Sequence, residues 1–294
     1  MPDPAAAPTG RAVPAGRAVP AGRAVPAGRA VPAGRVVLVG GGPGADDLIT
    51  VRGLDRLLAA DVVITDRLAP TGLLRRLRPD AEVIDAARAP GRRTLDYEQI
   101  IALMIDRARA GQTVVRLKGG DPFVFAHGAQ EVRCCADAGI PVEVVPGVTS
   151  ATAAPALVGL PLTSTDGAAG FSVVSGHLHP DDPACRIDWS ALSRSGTNLV
   201  ILMGMRHLSD IVDRLIKEGI DPAAASACIA DASLPSQRAV QSELGDLPTA
   251  VTAAGLTNPA TVIINTAAHL RHRSDEPASR QGDDGGTGVR QFRR

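Results

Sequence analysis

Two aspartates stand where apolar strands stop short. Asp121 closes the run VVRLKGGD (114–121), directly after Gly119 and Gly120, and Asp66 closes DVVITD (61–66). A glycine pair at the C-terminal end of a strand lets the backbone approach a ligand closely. Such strand ends are where open parallel sheets bind ligands. A carboxylate held there can accept a proton or stabilise a developing positive charge. A second glycine cluster, GGGPG (40–44), follows the apolar run RVVLVG. Gly40, Gly42 and Ala45 fit the G-x-G-x-x-G/A dinucleotide fingerprint, with Asp66 about 20 residues on as the ribose acceptor. In that motif the helix starts on the glycines, so that its N-terminus faces the pyrophosphate. Here Pro43, Gly44, Asp46 and Asp47 intervene, and helical periodicity starts only near Val51. Two carboxylates at the mouth repel a pyrophosphate, so an NAD-dependent oxidoreductase is the trailing reading. His177 and His179 form an H-x-H pair with no third ligand nearby, and no metal is expected.

The elements that hold these residues alternate along the chain. Apolar runs at 35–40, 61–66, 81–86, 113–119 and 140–147 read as strands. Helical spacing over 51–61, with Thr50 as its cap, over 97–111, with Gly111 beyond its end, over 129–139 and from 149 separates or follows them. The alternation restarts with strands at 170–176, 197–204, 224–230 and 260–266 and a helix over 207–219. Strand–helix–strand order implies an α/β fold with mostly parallel sheets and helices on both faces. The boundaries expected are an N-terminal α/β domain over 35–165 and a C-terminal α/β domain over 166–270.

The chain has 294 residues, 45% of them apolar, enough for two domains with substantial cores. Formal net charge is zero, and one Trp, one Tyr and four Phe leave little to stack on bases, so no nucleic-acid partner is expected. No apolar run reaches the roughly 20 residues of a membrane helix. The four cysteines form no C-x-x-C pair, which fits a reducing, cytoplasmic setting. RAVPAG repeats four times from Arg11 to Gly34. A proline in every six residues forbids a regular helix, so 1–34 reads as a disordered tail, as does 271–294.

The motifs gain weight in order. VLVGGGPGADDLITVRG, DVVITDRLAP, VVRLKGGDPFVF, VVPGVTSATAAPALVGLPLT, VVSGHL and LMGMRHL follow one another between residues 35 and 270. Together they resemble the uroporphyrinogen-III C-methyltransferases, S-adenosylmethionine-dependent tetrapyrrole methylases, with RLKGGDPFVF the most specific piece. The resemblance implies two α/β/α domains, an inter-domain cleft and a homodimer. It implies transfer of two methyl groups from S-adenosyl-L-methionine to C2 and C7 of uroporphyrinogen III, giving precorrin-2 on the way to sirohaem and cobalamin. It places Pro43, Gly119, Gly120, Asp121, Val124, Thr149, Ser150, Met203 and Ala232 at the cofactor. It gives Asp66 the role of base and Arg88 that of a proton donor. Because the substrate carries eight carboxylates, Arg67, Arg116, Lys118, His177 and Arg206 are the candidates to bind it.

The chain departs from the family pattern mostly on the substrate side. Ala87 and Arg88 stand where the family has Gly-Lys, and arginine gives up a proton poorly. Ala126-His127-Gly128 replaces Gly-Arg-Gly, Ser164-Thr165 replaces His-Arg, and Ala232 replaces a glycine. The alternatives are therefore a methyltransferase of the same fold with another substrate, or a cofactor-binding homologue weakened in catalysis.

Overall fold

The computed structural model describes residues 34–86, 95–165, 167, 168 and 170–264. Ala87, Arg88 and the two expected tails, save Gly34, lie outside these residues. In chain order the elements are β1 (Arg35–Gly40), α1 (Val51–Leu58), β2 (Val62–Thr65), β3 (Glu82–Asp85), α2 (Tyr97–Arg109), β4 (Thr113–Lys118), α3 (Gly128–Asp137), β5 (Val142–Val145) and α4 (Ser150–Leu157). They continue with β6 (Phe171–Ser175), α5 (Trp189–Ser193), β7 (Asn198–Leu202), α6 (Leu208–Lys217), β8 (Ala225–Ala230), β9 (Arg238–Glu243), α7 (Leu247–Ala253) and β10 (Ala260–Ile264). Among the described residues, no helix is long and apolar enough to cross a membrane.

The first sheet has the order β3-β2-β4-β1-β5, and every neighbouring pair is parallel. Period-two alternation splits its apolar residues between two layers. Val36, Leu38, Val62, Ile64 and Val114 meet Met104 of α2 and Cys135 of α3 on one face. Val37, Val39, Val63, Val115 and Leu117 meet Leu57 of α1 on the other. From the adjacent strands β1 and β4 the chain leaves in opposite directions, β1 across β4 to β2, and β4 across β1 to β5. The switch point of the sheet therefore lies between them, where a ligand is expected outside the carboxyl ends. Those ends carry Gly40–Gly42 and Gly119–Gly120.

The second sheet has the order β6-β7-β10-β8-β9 and, unlike the first, is mostly antiparallel. Only β6 and β7 pair in parallel; β10 runs antiparallel to β7 and β8, and β9 antiparallel to β8. The strand β9 and the short helices α5 and α7 were not expected from the sequence. In β9, RAVQSE, exposed and half-buried residues mix without a buried face, because it is an edge strand. Trp189, Leu199, Ile201, Ile211, Leu215 and Val262 fill the layer under α5, α6 and α7. The opposite face is covered by α4, through Ala151 and Ala154 against Val200, Ile229 and Ile263, with Val124 from the β4 exit packed beside them. Segments from the first half of the chain thus close the second sheet.

Helix α1 begins at Val51, and the Thr50 hydroxyl caps it by accepting from the Gly53 N–H at 3.1 Å. A separate one-turn 3-10 helix, Asp46–Leu48, lies between the glycines and α1. The dinucleotide geometry fails, since the α-helix does not start on the glycine cluster but only at Val51.

Candidate active site

Three strand exits meet almost backbone to backbone. Gly41 N–H donates to the Lys118 carbonyl at 2.7 Å, and Gly42 and Gly120 exchange N–H···O bonds of 3.2 and 2.7 Å. A Cβ at Gly40 would stand 2.5 Å from the Gly147 nitrogen and 2.7 Å from the Gly120 oxygen. A Cβ at Gly147 would overlap that same oxygen. Gly119 is needed because Leu68, on the β2 exit, lies over it, 2.7 Å from where a Cβ would be. Gly120 differs. Its φ is +66°, a region L side chains avoid, and a Cβ there would have no atom within 4 Å. One face of the bend is therefore bare backbone opening onto free space.

Asp121 fastens this bend. Its Oδ1 accepts from the Phe123 N–H at 2.8 Å and its Oδ2 from the Gly147 N–H at 3.0 Å. The first bond sets the exit toward α3, and the second ties β4 to the β5–α4 loop. Each oxygen retains a lone pair for a ligand. Asp66 sits beside the bend, half-buried, with Oδ1 accepting from Leu68 N–H at 2.9 Å and both oxygens 3.3 Å from Gly119 N–H. The two aspartates that the sequence singled out thus flank one glycine pair.

The remaining cofactor candidates lie on the neighbouring exits. Pro43 lies in the β1 exit loop, whose Ala45 N–H donates to the Ser233 hydroxyl at 2.9 Å. That bond joins the first sheet's loop to the residue after Ala232. Asp231 and Ser233, flanking the buried Ala232, both have positive φ, so this turn is left-handed on either side of it. Thr149 caps α4 through its hydroxyl, which accepts from Ala151 N–H at 3.3 Å, and Ser150 opens that helix. Met203, just past β7, has φ +57° and is 45% exposed, so it is not a core methionine. Val124 points into the second sheet's apolar cluster.

On the substrate side the structure divides the candidates. Arg67 and Arg206 are exposed cations, and the exposed His177 contacts Ser175 Oγ through Nδ1 at 2.8 Å. His179 lies 3.5 Å from Asp210, so the H-x-H pair does not converge. Among the described residues no group of three or more His, Cys, Asp or Glu is arranged to hold a metal. Arg116 and Lys118 are corrections. They follow Val114 at period two, which turns them onto the helix-covered face, where they are 5% and 3% exposed. There they share Glu131 of α3, itself 1% exposed: Arg116 Nε donates to Oε1 at 3.3 Å and Lys118 Nζ at 3.0 Å. Arg116 also donates to the Ile64 carbonyl at 3.3 Å. Neither cation is free for a substrate carboxylate.

The same layer shifts its titratable groups. Burial pulls the Lys118 ammonium below the usual range, while the Glu131 charge opposes the drop. Burial, then the charge of Glu131, pushes the Tyr97 phenol up to about 12. Sequence reasoning missed Glu131, Gly147, Leu68 and Ser233. Glu131 had a signal, since a carboxylate on the helix after β4 is the natural partner for two cations alternating inward. Gly147 and Leu68 act through backbone proximity, and Ser233 through a hydroxyl that accepts from a distant backbone N–H, which no residue type announces.

The sequence profile of the Tetrapyrrole (Corrin/Porphyrin) Methylases matches residues 35–248. Siroheme synthase of Gluconacetobacter diazotrophicus is 38% identical over 245 residues, 83% of this chain and 52% of that protein. Siroheme synthase 2 of Halorhodospira halophila is 40% identical over 234 residues, 80% of this chain and 47% of the relative. The chain thus spans about half the length of these relatives. Among solved structures, uroporphyrin-III C-methyltransferase from Thermus thermophilus, complexed with S-adenosylhomocysteine, superposes with TM-score 0.65 at 37% identity, covering 79% of this chain and 97% of that one. A cobalt precorrin-4 methyltransferase superposes with TM-score 0.71 at 27% identity, covering 79% of this chain and 94% of the other.

Proposed function

The chain belongs to the tetrapyrrole (corrin/porphyrin) methylase family, and on that premise we propose that it is an S-adenosyl-L-methionine-dependent C-methyltransferase converting uroporphyrinogen III to precorrin-2. The observation that carries this reading is the bend at Gly119–Asp121, whose Gly120 presents bare backbone to free space beside the Asp66 carboxylate. These residues fit the donor. A space that a Cβ would enter unopposed suits a close-lying ligand, and backbone and carboxylate oxygens suit a sulfonium. Gly119, Gly120 and Asp121 would hold it, with Pro43, Thr149, Ser150, Met203, Val124 and Ala232 on the adjoining exits. Bound there, S-adenosyl-L-methionine supplies an electrophilic methyl group.

The chain's own residues have three tasks. The bend and the exits around it fix one reactant in line with the other, and positioning carries most of such a displacement. Asp66 takes the proton that the cationic ring system releases after the methyl group has bonded, not from the methylated carbon, which carries no hydrogen, and its negative charge favours that cation beforehand. The Leu68 and Gly119 N–H groups orient its oxygens for that task. Arg67, Arg206 and His177 bind substrate carboxylates at the exposed rim, bidentately in the case of the arginines.

Incubation of the protein with uroporphyrinogen III and S-adenosyl-L-methionine is expected to yield a tetrapyrrole heavier by two methyl groups. An inert mixture, with S-adenosylhomocysteine still bound, would overturn this substrate assignment. A second reading, a different tetrapyrrole as substrate, is favoured by His127, Ser164 and Thr165. His127 is exposed at the start of α3, in left-handed backbone, with its Nδ1 2.9 Å from Gln130 Oε1. It leaves a histidine where the resemblance expects an arginine.

A further inference from the structure

A tetrapyrrole carries its carboxylates on an apolar body of linked pyrrole rings, and cations at the rim bind only the carboxylates. Beside the bend stand three exposed apolar side chains, Leu68 on the β2 exit and Phe123 and Phe125 on the β4 exit. Leu68 lies over Gly119, and its N–H donates to the Asp66 carboxylate. Phe123 N–H donates to Asp121, the carboxylate that also holds Gly147. The Phe123 ring rests at the start of α3, with Cδ1 3.0 Å from where a Cβ at Gly128 would be, yet the residue is 56% exposed. Val124, between the two phenylalanines, packs into the second sheet's apolar cluster and anchors the segment. Aromatic residues are scarce in this chain, one Trp, one Tyr and four Phe, and two of them stand next to the donor bend. Among the described residues, the non-glycine residues with positive φ are Phe125, His127, Met203, Asp231 and Ser233, all on the exits of β4, β7 and β8. Aspartate tolerates that region, but a bulky apolar side chain is strained in it. Phe125, at φ +51°, is still 45% exposed, so little burial offsets the strain. Backbone held in this way collects at ligand sites.

We propose that Leu68, Phe123 and Phe125 form an apolar ledge against which the body of the tetrapyrrole lies, with Arg67, next to Leu68, taking a carboxylate at its edge. The reacting carbon must come before Gly120 and within reach of Asp66. Leu68 and Phe123 are fastened through their N–H groups to Asp66 and Asp121, so a body placed there lies beside both. Burying pyrrole surface against two phenyl rings and a leucine adds affinity that rim carboxylates in water do not supply. Three side chains by themselves fall far short of the roughly 800 Å² per partner of a stable protein interface, but they suit one ligand face. The identity of the tetrapyrrole rests on the proposed methyl transfer, whereas the position of the ledge does not.

The test compares Phe123→Ala, Phe125→Asn and Phe125→Tyr in the full-length protein. Asparagine accepts left-handed backbone better than phenylalanine, so Phe125→Asn is expected to melt no lower than the wild type, which loss of a core residue would not allow. Its KM for uroporphyrinogen III is expected to rise about tenfold or more, the equivalent of one lost aromatic contact. Its kcat is expected to change far less, and its affinity for S-adenosylhomocysteine, by calorimetry, to stay unchanged. Phe123→Ala is expected to raise KM in the same way, and Phe125→Tyr to keep the wild-type value. Unmoved KM in both ring-loss variants would overturn the ledge and leave the methyl transfer standing. A lower melting temperature together with lost donor affinity would make the rings structural and overturn it too. So would a changed oligomeric state with KM unmoved, which would make them a subunit contact. Should the wild type not methylate uroporphyrinogen III, the same variants are titrated by fluorescence with uroporphyrin III, its stable oxidised form. Binding by the wild type that the ring-loss variants weaken would keep the ledge and remove the reaction assignment. Equal binding by all, or none by the wild type, would overturn the ledge.

Discussion

Asp66→Asn is expected to bind S-adenosylhomocysteine as the wild type does and to lose about 10²-fold or more in turnover of uroporphyrinogen III, the usual worth of a positioned general base. Asparagine has the same shape. Its one amide oxygen can still accept from Leu68 N–H, the shorter of the bonds Asp66 makes. What it loses is basicity and charge. Its NH2 group would also face the Gly119 N–H, donor against donor, where Asp66 presents both oxygens at 3.3 Å. The bend's backbone bonds to Gly42 and the Asp121 carboxylate's bond from Gly147 N–H do not involve Asp66, so the donor side stays intact. Turnover is measured as methylated product per enzyme under saturating donor, and binding by calorimetry. Unchanged turnover would remove Asp66 from the reaction. Lost binding together with lost turnover would make it a structural residue of the bend.

The second large effect is at Gly120. Gly120→Ala is expected to give a folded protein whose affinity for S-adenosylhomocysteine falls by about 10- to 100-fold, the equivalent of an overpacking cost of roughly 1–3 kcal/mol. The stability cost is separate and smaller. Alanine at φ +66° loses about 1 kcal/mol or slightly more from backbone strain, and its methyl meets no protein atom within 4 Å. The neighbouring glycines give the contrast. Gly147→Ala drives its methyl onto the Gly120 carbonyl, and Gly40→Ala onto Gly147 and Gly120, so both are expected to fail at the level of folding. A thermal melt beside each calorimetric titration separates the cases. Wild-type affinity in Gly120→Ala would mean that nothing binds against that face.

The first sheet was legible because each of its strands is an apolar run and each run is followed by helical spacing or a turn. RVVLVG, VVIT and TVVRLK carry the period-two division into two packed layers, and Thr50 marks the start of α1 by its hydroxyl. The position of the bend followed from chemistry, since Gly119 and Gly120 end a buried strand. The second sheet was harder. β9 has no buried face and so lacks the alternation that betrays a strand, while the pairing directions of β8 and β10 depend on connections, not on composition. Arg116 and Lys118 were misjudged for a different reason. Charged residues near a strand end read as surface groups, and only the parity set by Val114, with Glu131 waiting on α3, turns them inward. Contacts such as Asp121 to Gly147 and Ala45 to Ser233 join residues far apart in the chain through backbone N–H groups, which every residue but proline possesses. The sequence had no way to mark them.

The most direct measurement is a crystal structure with S-adenosylhomocysteine bound. The ligand is expected to fill the space before Gly120, in contact with the backbone of Gly119–Asp121, with the Asp66 side chain bordering the same space. A ligand seated elsewhere, with the Gly120 face still open, would contradict the assignment of this bend as the donor site.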